Sequence, residues 1–281
     1  MAVILNGKKL AEKIREELKQ EVEELKRRGI FPRLEVIMVG DDPSSKIYVN
    51  NKSKACEGIG IEYGEHLLKE DIEMKELIDL IKELNEKDDV HGILLQSPIP
   101  KHLDIDEAFR EISSSKDVDG FNPINVGKLC LGQPSFVSCT PFGVMKLLEE
   151  YNIHIEGKNA VVIGRSNIVG KPMFQCLLGK SATVTLCHSK TKNLEEFTKR
   201  ADILVVAIGK PKFIKAEMVK EGAVVIDVGI SRDEKSKICG DVDFESVEKK
   251  ASFITPVPGG VGPMTIAMLM ANVVDAASKN Q

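Results

Sequence analysis

The sequence predicts an α/β protein of two domains with parallel sheets. The C-terminal domain reads as a Rossmann-like dinucleotide-binding unit, with a cleft expected between the two. Three observations carry this. Short β-branched apolar runs alternate with helical patterns along the whole chain, which implies parallel strands joined by crossover helices. A segment rich in glycine and proline, Ser113 to Pro141, divides two such series. In the second series Ala160-Val-Val-Ile163 ends abruptly in Gly164, turns through polar residues and becomes helical after Gly170. Strand, glycine turn and helix form the arrangement that aims backbone N–H groups at a phosphate.

In chain order, residues 8–28 repeat Leu10, Ile14, Leu18, Val22 and Leu25 at helical spacing, and Gly29 stops them. Leu34 to Val39 is a buried strand. Asp42 and Pro43 then cap and open a helix over about Ser44 to Glu57. A strand at Ile61 to Leu68, a helix at Met74 to Leu84, a strand at Val90 to Gln96 and a short helix at Asp104 to Ile112 complete the first series. Beyond the divider come a helix at Gly143 to Tyr151 and the Ala160 strand. Further strands follow at Ala182 to Cys187, Ile203 to Ile208, Val224 to Val228 and Phe253 to Thr255. The last helix, Thr265 to Ala277, is apolar and is expected to pack back across both series. The division is accordingly 1–139, completed by helix 264–281, and 140–263.

With 281 residues the chain can bury two proper cores. A formal net charge of −4 argues against a general nucleic-acid surface, so no nucleic-acid partner is expected. Five apolar residues at the N-terminus are too few for a signal peptide. Ala251 to Val274 is uncharged, but its prolines and glycines argue against a membrane span. Six scattered cysteines without a Cys-x-x-Cys pair point to reduced thiols. The expectation is a soluble cytoplasmic protein without a membrane partner or a metal.

The dinucleotide fingerprint is irregular. Ser166 stands where its second glycine belongs and Gly170 falls one residue late, so a tight βα turn of any parallel sheet fits as well. The following strand ends in Cys187-His188-Ser189-Lys190-Thr191, polar and basic, and Arg165 adds a cation beside the first glycine. Singly these are loop charges. Jointly they accommodate a ribose phosphate, which favours NADP over NAD.

In the first series Tyr48 and Lys52 share a helix face. Such a pair could stack a flat ligand and deliver a proton, although spacing alone fits a solvated pair better. Gln96 ends a parallel strand, where open sheets place ligand crevices. Asp119 lies in a turn, Lys116-Asp-Val-Asp-Gly120, of a kind more often used for capping. Pro256 to Thr265 joins prolines and glycines ahead of a helix, suggesting close backbone approach to a ligand.

At these residues the sequence resembles the bifunctional methylenetetrahydrofolate dehydrogenase/methenyltetrahydrofolate cyclohydrolases. The matching segments are Val39 to Lys54, Leu95 to Pro100, Lys116 to Gly120, Gly164 to Pro172, Cys187 to Thr191 and Pro256 to Thr265, in the same order over essentially the whole chain. Ser97, where the family commonly has leucine, and the Gly179-Lys180-Ser181 turn depart from the pattern. The resemblance implies oxidation of 5,10-methylenetetrahydrofolate with NADP and then hydrolysis to 10-formyltetrahydrofolate, in a homodimer joined through the cofactor domains. It also implies that Lys52 is the central catalytic residue, neutral for part of the cycle and supported by Gln96. Tyr48 would stack on the folate and Asp119 would anchor the pterin. Pro258, Gly259 and Gly260 would touch substrate. Gly164, Arg165, Ser166, Val169, Gly170, His188, Ser189, Thr191, Ile230 and Thr265 would hold the cofactor. Two other readings of the residues are a different two-domain dehydrogenase, of amino-acid or shikimate type, and a non-catalytic dinucleotide-binding regulator.

Overall fold

The computed structural model describes residues 1–233 and 236–279. The chain opens with a two-residue strand, β1 (Val3–Ile4), and helix α1 (Gly7–Arg27). It continues through β2 (Arg33–Val39), α2 (Pro43–Ile59), β3 (Glu62–Leu68), α3 (Met74–Glu86), β4 (Gly92–Leu95), α4 (Ile105–Glu111) and α5 (Pro123–Cys130). Then follow α6 (Cys139–Glu150), β5 (Asn159–Ile163), α7 (Gly170–Gly179), β6 (Thr183–Cys187), α8 (Leu194–Thr198), β7 (Ile203–Val206) and β8 (Val224–Asp227). A small hairpin of β9 (Ser231–Arg232) and β10 (Ile238–Cys239) precedes α9 (Phe244–Val247), β11 (Phe253–Ile254) and α10 (Val261–Lys279).

Two compact units result. One contains residues 13–137 and 266–281, the other residues 1–12 and 138–265. The sequence division placed residues 1–12 with the first domain. They instead belong with the second sheet, because β1 pairs in parallel with β11, Val3 opposite Phe253. Two residues are too few to show a strand period, so the sequence carried no sign of this.

In the first unit β3, β2 and β4 form a parallel sheet in that order. Successive strands are laid to opposite sides of β2, so the order reverses between β2 and β4. Open α/β sheets place ligands at the carboxyl ends of such a pair. Six of the seven residues of β2 and all of β4 are buried, as expected where helices cover both faces. Ile37, Ile93 and Leu95 meet Leu77 and Ile81 of α3 in one core. Each such side chain contributes about 1.5–3 kcal/mol by leaving water.

The second unit's sheet has the order β1-β11-β8-β7-β5-β6, with every neighbour parallel. It reverses between β5 and β7. Its core joins Val161, Ile163, Leu204, Val206, Val225 and Ile254. Helix α10 is long and apolar enough to cross a membrane, but 61% of its most apolar window is buried inside the protein. It begins at Val261, four residues earlier than the sequence suggested, since Pro263 is tolerated in a first turn.

Candidate active site

In the first unit the site starts from the helix that follows β2. The Asp42 carboxylate accepts from the Ser45 amide at 2.7 Å and Pro43 occupies the first turn, which fixes where α2 begins. Tyr48 and Lys52 then lie one turn apart, Tyr48 exposed and Lys52 half-buried. Lys52 Nζ donates to Gln96 Oε1 at 2.8 Å. Gln96 is buried just beyond β4. Its amide N–H bonds the Ile37 carbonyl at 2.8 Å, and its side-chain Nε2 donates to the Ser97 carbonyl at 2.6 Å. These partners orient the amide: its oxygen faces the lysine because its NH2 group is committed to the backbone.

The structure separates the three charged residues of Lys116-Asp117-Val118-Asp119. Lys116 is buried and its ammonium donates to the carbonyls of Leu84, Asn85 and Lys87, closing the C-terminal end of α3. Burial lowers its pKa. Asp117 is also buried and accepts from the amides of Phe121 and Asn122 and from the Asn125 side chain, at 2.8–3.1 Å. Burial pushes its carboxyl up to about 6 against those donors. Asp119 alone of the three is half-buried. Ile93 of β4 bridges in parallel to Asp117. The chain turns directly after this bridge, the Gly120 amide bonding the Asp117 carbonyl at 3.1 Å, so Asp119 lies in the turn that follows it.

The second unit carries the glycine turn. Gly164 has φ +121°, and a Cβ there would collide with the Ala207 carbonyl. A Cβ on Gly170 would collide with the Gly164 carbonyl. Both positions therefore require glycine. Ser166, in the place of the missing glycine, accepts through Oγ from the amides of Val169 at 3.1 Å and Gly170 at 3.3 Å. The serine holds the turn that leads to Val169, the N-cap of α7, a bond a glycine in its place could not make.

At the end of the neighbouring strand the His188 amide bonds Thr191 Oγ1 at 2.9 Å, and the Lys190 amide bonds His188 Nδ1 at 3.1 Å. Ile163 pairs with Cys187, so the exposed Arg165 and Lys190 extend from adjacent strand ends. This cradle fits a dinucleotide, with glycines where its phosphates would pass and cations where a ribose phosphate would lie.

The segment Pro256 to Thr265 has a reason of its own for its glycines. Gly260 approaches Gly7, whose added Cβ would collide with the Gly260 carbonyl, and Lys8 donates its amide to the Gly259 carbonyl at 2.9 Å. The close approach is to the protein's own backbone. Thr265 Oγ1 lies 2.9 Å from Thr140 Oγ1, and Ile230 is exposed.

Sequence reasoning passed over Asp227 and Asp241, both buried near the ends of β8 and β7. A carboxylate closing an apolar run, Val224-Val-Ile-Asp227, was the available signal. Among the described residues no group of three or more His, Cys, Asp or Glu could hold a metal.

The fold and the features of each unit define a dinucleotide-dependent oxidoreductase whose first unit presents a lysine–amide pair. Residues 5–119 match the sequence model of the tetrahydrofolate dehydrogenase/cyclohydrolase catalytic domain, and residues 138–281 match that of the tetrahydrofolate dehydrogenase/cyclohydrolase NAD(P)-binding domain. The chain belongs to the tetrahydrofolate dehydrogenase/cyclohydrolase family. It is 60% identical over 276 residues to the bifunctional protein FolD of Acetivibrio thermocellus, covering 98% of this chain and 97% of the relative.

Among solved structures, the FolD methylenetetrahydrofolate dehydrogenase/cyclohydrolase of Campylobacter jejuni is 55% identical, with a TM-score of 0.99 and full coverage of both chains. The Trypanosoma brucei methylenetetrahydrofolate dehydrogenase-cyclohydrolase, complexed with NADP cofactor and inhibitor, is 37% identical. Its TM-score is 0.94, with 99% of this chain and 98% of that chain covered. The protein is therefore an enzyme of one-carbon folate metabolism, a methylenetetrahydrofolate dehydrogenase and methenyltetrahydrofolate cyclohydrolase.

Proposed function

We propose that Lys52 manages the protons of the hydrolytic step and that Gln96 positions it. The 2.8 Å bond between them carries this reading. An amide oxygen can orient an amine in either protonation state, whereas a carboxylate in its place would hold the ammonium charged. A lysine so held can take a proton from attacking water and return one to the ring nitrogen as the methenyl carbon is hydrated. Tyr48, one turn away, offers a flat face to the folate. Asp119 accepts the paired N–H donors of the pterin edge, a bidentate arrangement suited to a carboxylate. Pro258, Gly259 and Gly260 remain proposed backbone contacts of the substrate.

The bound dinucleotide supplies the hydride acceptor for the oxidation. The protein's part in that step is to hold two flat rings in register. Gly164, Arg165, Ser166, Val169 and Gly170 are assigned to its phosphates, with His188, Ser189, Thr191, Ile230 and Thr265 flanking them. Arg165 and the basic end of β6, which has no carboxylate from Cys187 to Lys192, favour NADP over NAD. The NADP complex of the Trypanosoma brucei relative supports the same choice. The chain is read as a homodimer joined through its dinucleotide-binding units. It is placed in the cytoplasm, where six cysteines without a disulfide among the described residues are at home.

The test is Lys52→Met, assayed for hydrolysis of methenyltetrahydrofolate beside initial dehydrogenase rates with NADP and with NAD. Hydrolysis should fall by about 10²–10⁴-fold, the usual contribution of a positioned acid–base group, while NADP still raises the melting temperature. Unchanged hydrolysis would sink the assignment.

A further inference from the structure

The buried carboxylate of Asp241 has no place in the chemistry above, yet its surroundings give it one. Its side chain is fully enclosed, and its two oxygens accept three consecutive backbone amides: Ile208 at 2.7 Å, Gly209 at 3.0 Å and Lys210 at 2.7 Å. Those amides belong to the loop that leaves β7. The Ala207 carbonyl just before them is the atom against which Gly164 packs, and the Ala207 amide bonds the Ile163 carbonyl at 2.8 Å. The loop is therefore the other wall of the β5/β7 reversal, opposite the phosphate turn, where an open parallel sheet receives its ligand.

Burying a charge is costly, and here backbone dipoles rather than a paired side-chain cation supply the three hydrogen bonds described. No neutral side chain of this size accepts three amides at once; an asparagine would turn an NH2 group toward donors. Asp241 is itself fixed. Its amide donates to Asp227 Oδ1 at 2.9 Å, and the neighbouring Val242 amide donates to Asp227 Oδ2 at 2.9 Å. Asp227 Oδ1 also takes the Gly229 amide at 3.0 Å, immediately before Ile230. Two carboxylates thus tie together the loops after β7 and β8.

We infer that Asp241 is a positioning residue for the dinucleotide. It sets the path of residues 207–210 along the ribose–pyrophosphate run and thereby tunes cofactor affinity and hydride alignment. This rests on the dinucleotide reading of the second unit.

The full-length Asp241→Ala and Asp241→Asn variants test it. Dehydrogenase rates are measured against NADP, and methenyltetrahydrofolate hydrolysis is measured without dinucleotide. The KM for NADP should rise by about tenfold or more in the alanine variant, and the dehydrogenase-to-cyclohydrolase ratio should fall by about the same factor, since loss of a hydrogen-bonded charge is worth at least that much. The asparagine variant should fall between it and wild type. Should the alanine variant fail to fold, Gly209→Ala perturbs the same loop from outside. Its Cβ meets nothing within 4 Å, but its φ of +65° resists a side chain, so it should raise the KM for NADP as well. Variants that fold with an unchanged KM, or that lose both activities in proportion, overturn the proposal. Wild-type protein without NADP-dependent turnover would instead overturn the dinucleotide reading beneath it.

Discussion

Both sheets reverse strand order at the same step, after their first two strands, and they use the reversal in opposite ways. At β2/β4 the groups proposed to face the ligand are long side chains: Lys52 and Tyr48 from the helix after the first strand, and Gln96 from the end of the third. At β5/β7 the groups are backbone. Gly164 and Gly170 allow the turn, Ser166 holds it, and Asp241 gathers the amides opposite. A side-chain site can lose its chemistry and keep its fold. A backbone site loses its geometry as soon as one atom is added.

The contrast breaks first at Gly170. Replacing it with alanine drives a Cβ into the Gly164 carbonyl, so NADP-dependent oxidation should disappear along with the thermal shift produced by NADP. An active Gly170→Ala enzyme with a normal KM would remove the distinction between the halves. A smaller effect is expected at Gln96→Glu. The introduced carboxylate pairs with Lys52 and holds it charged, so hydrolysis should drop by about 10²-fold while the protein remains folded. Wild-type hydrolysis in that variant would show that the amide is incidental.

The last effect is on stability rather than turnover. Burial pushes the Asp227 carboxyl from 3.8 to about 7, against amides that favour its charge. The folded state then holds a proton that the unfolded state has released. Unfolding free energy should therefore fall as pH rises from about 4 to about 7 and level off above, by at most about 1.4 kcal/mol per pH unit. Subtracting the urea-unfolding curve of Asp227→Asn isolates this slope; parallel curves would exclude it.

How much was legible differs between the halves in the same way. The glycine turn, the capped α2 and the alternating runs could be read because each is a local rule written in consecutive residues. The Lys52–Gln96 contact spans 44 positions, and spacing alone favoured a solvated lysine. Nor could the sequence tell Asp117 from Asp119, since the choice is made by Asn122 and Asn125 reaching back to the former. Helix α5 was hidden inside the glycine-rich divider, although its start was present in Asn122-Pro123, where the asparagine side chain accepts from the Ile124 amide at 2.8 Å. The Asp241 anchor joins positions more than 30 residues apart and had no local mark.

The exchange of chain ends between the units bears on how the protein is made. On the ribosome β1 has no partner until β11, some 250 residues later, is available. The catalytic unit is nearly complete after residue 137, yet Asn272, which ties the Val118 and Val137 carbonyls, is made only after the whole dinucleotide-binding unit. Each unit therefore stays open until the segment that closes it has been made, its apolar edges exposed to whatever else is folding nearby. A chain interrupted just after residue 265 would hold a dinucleotide-binding sheet able to close and a catalytic unit that is not.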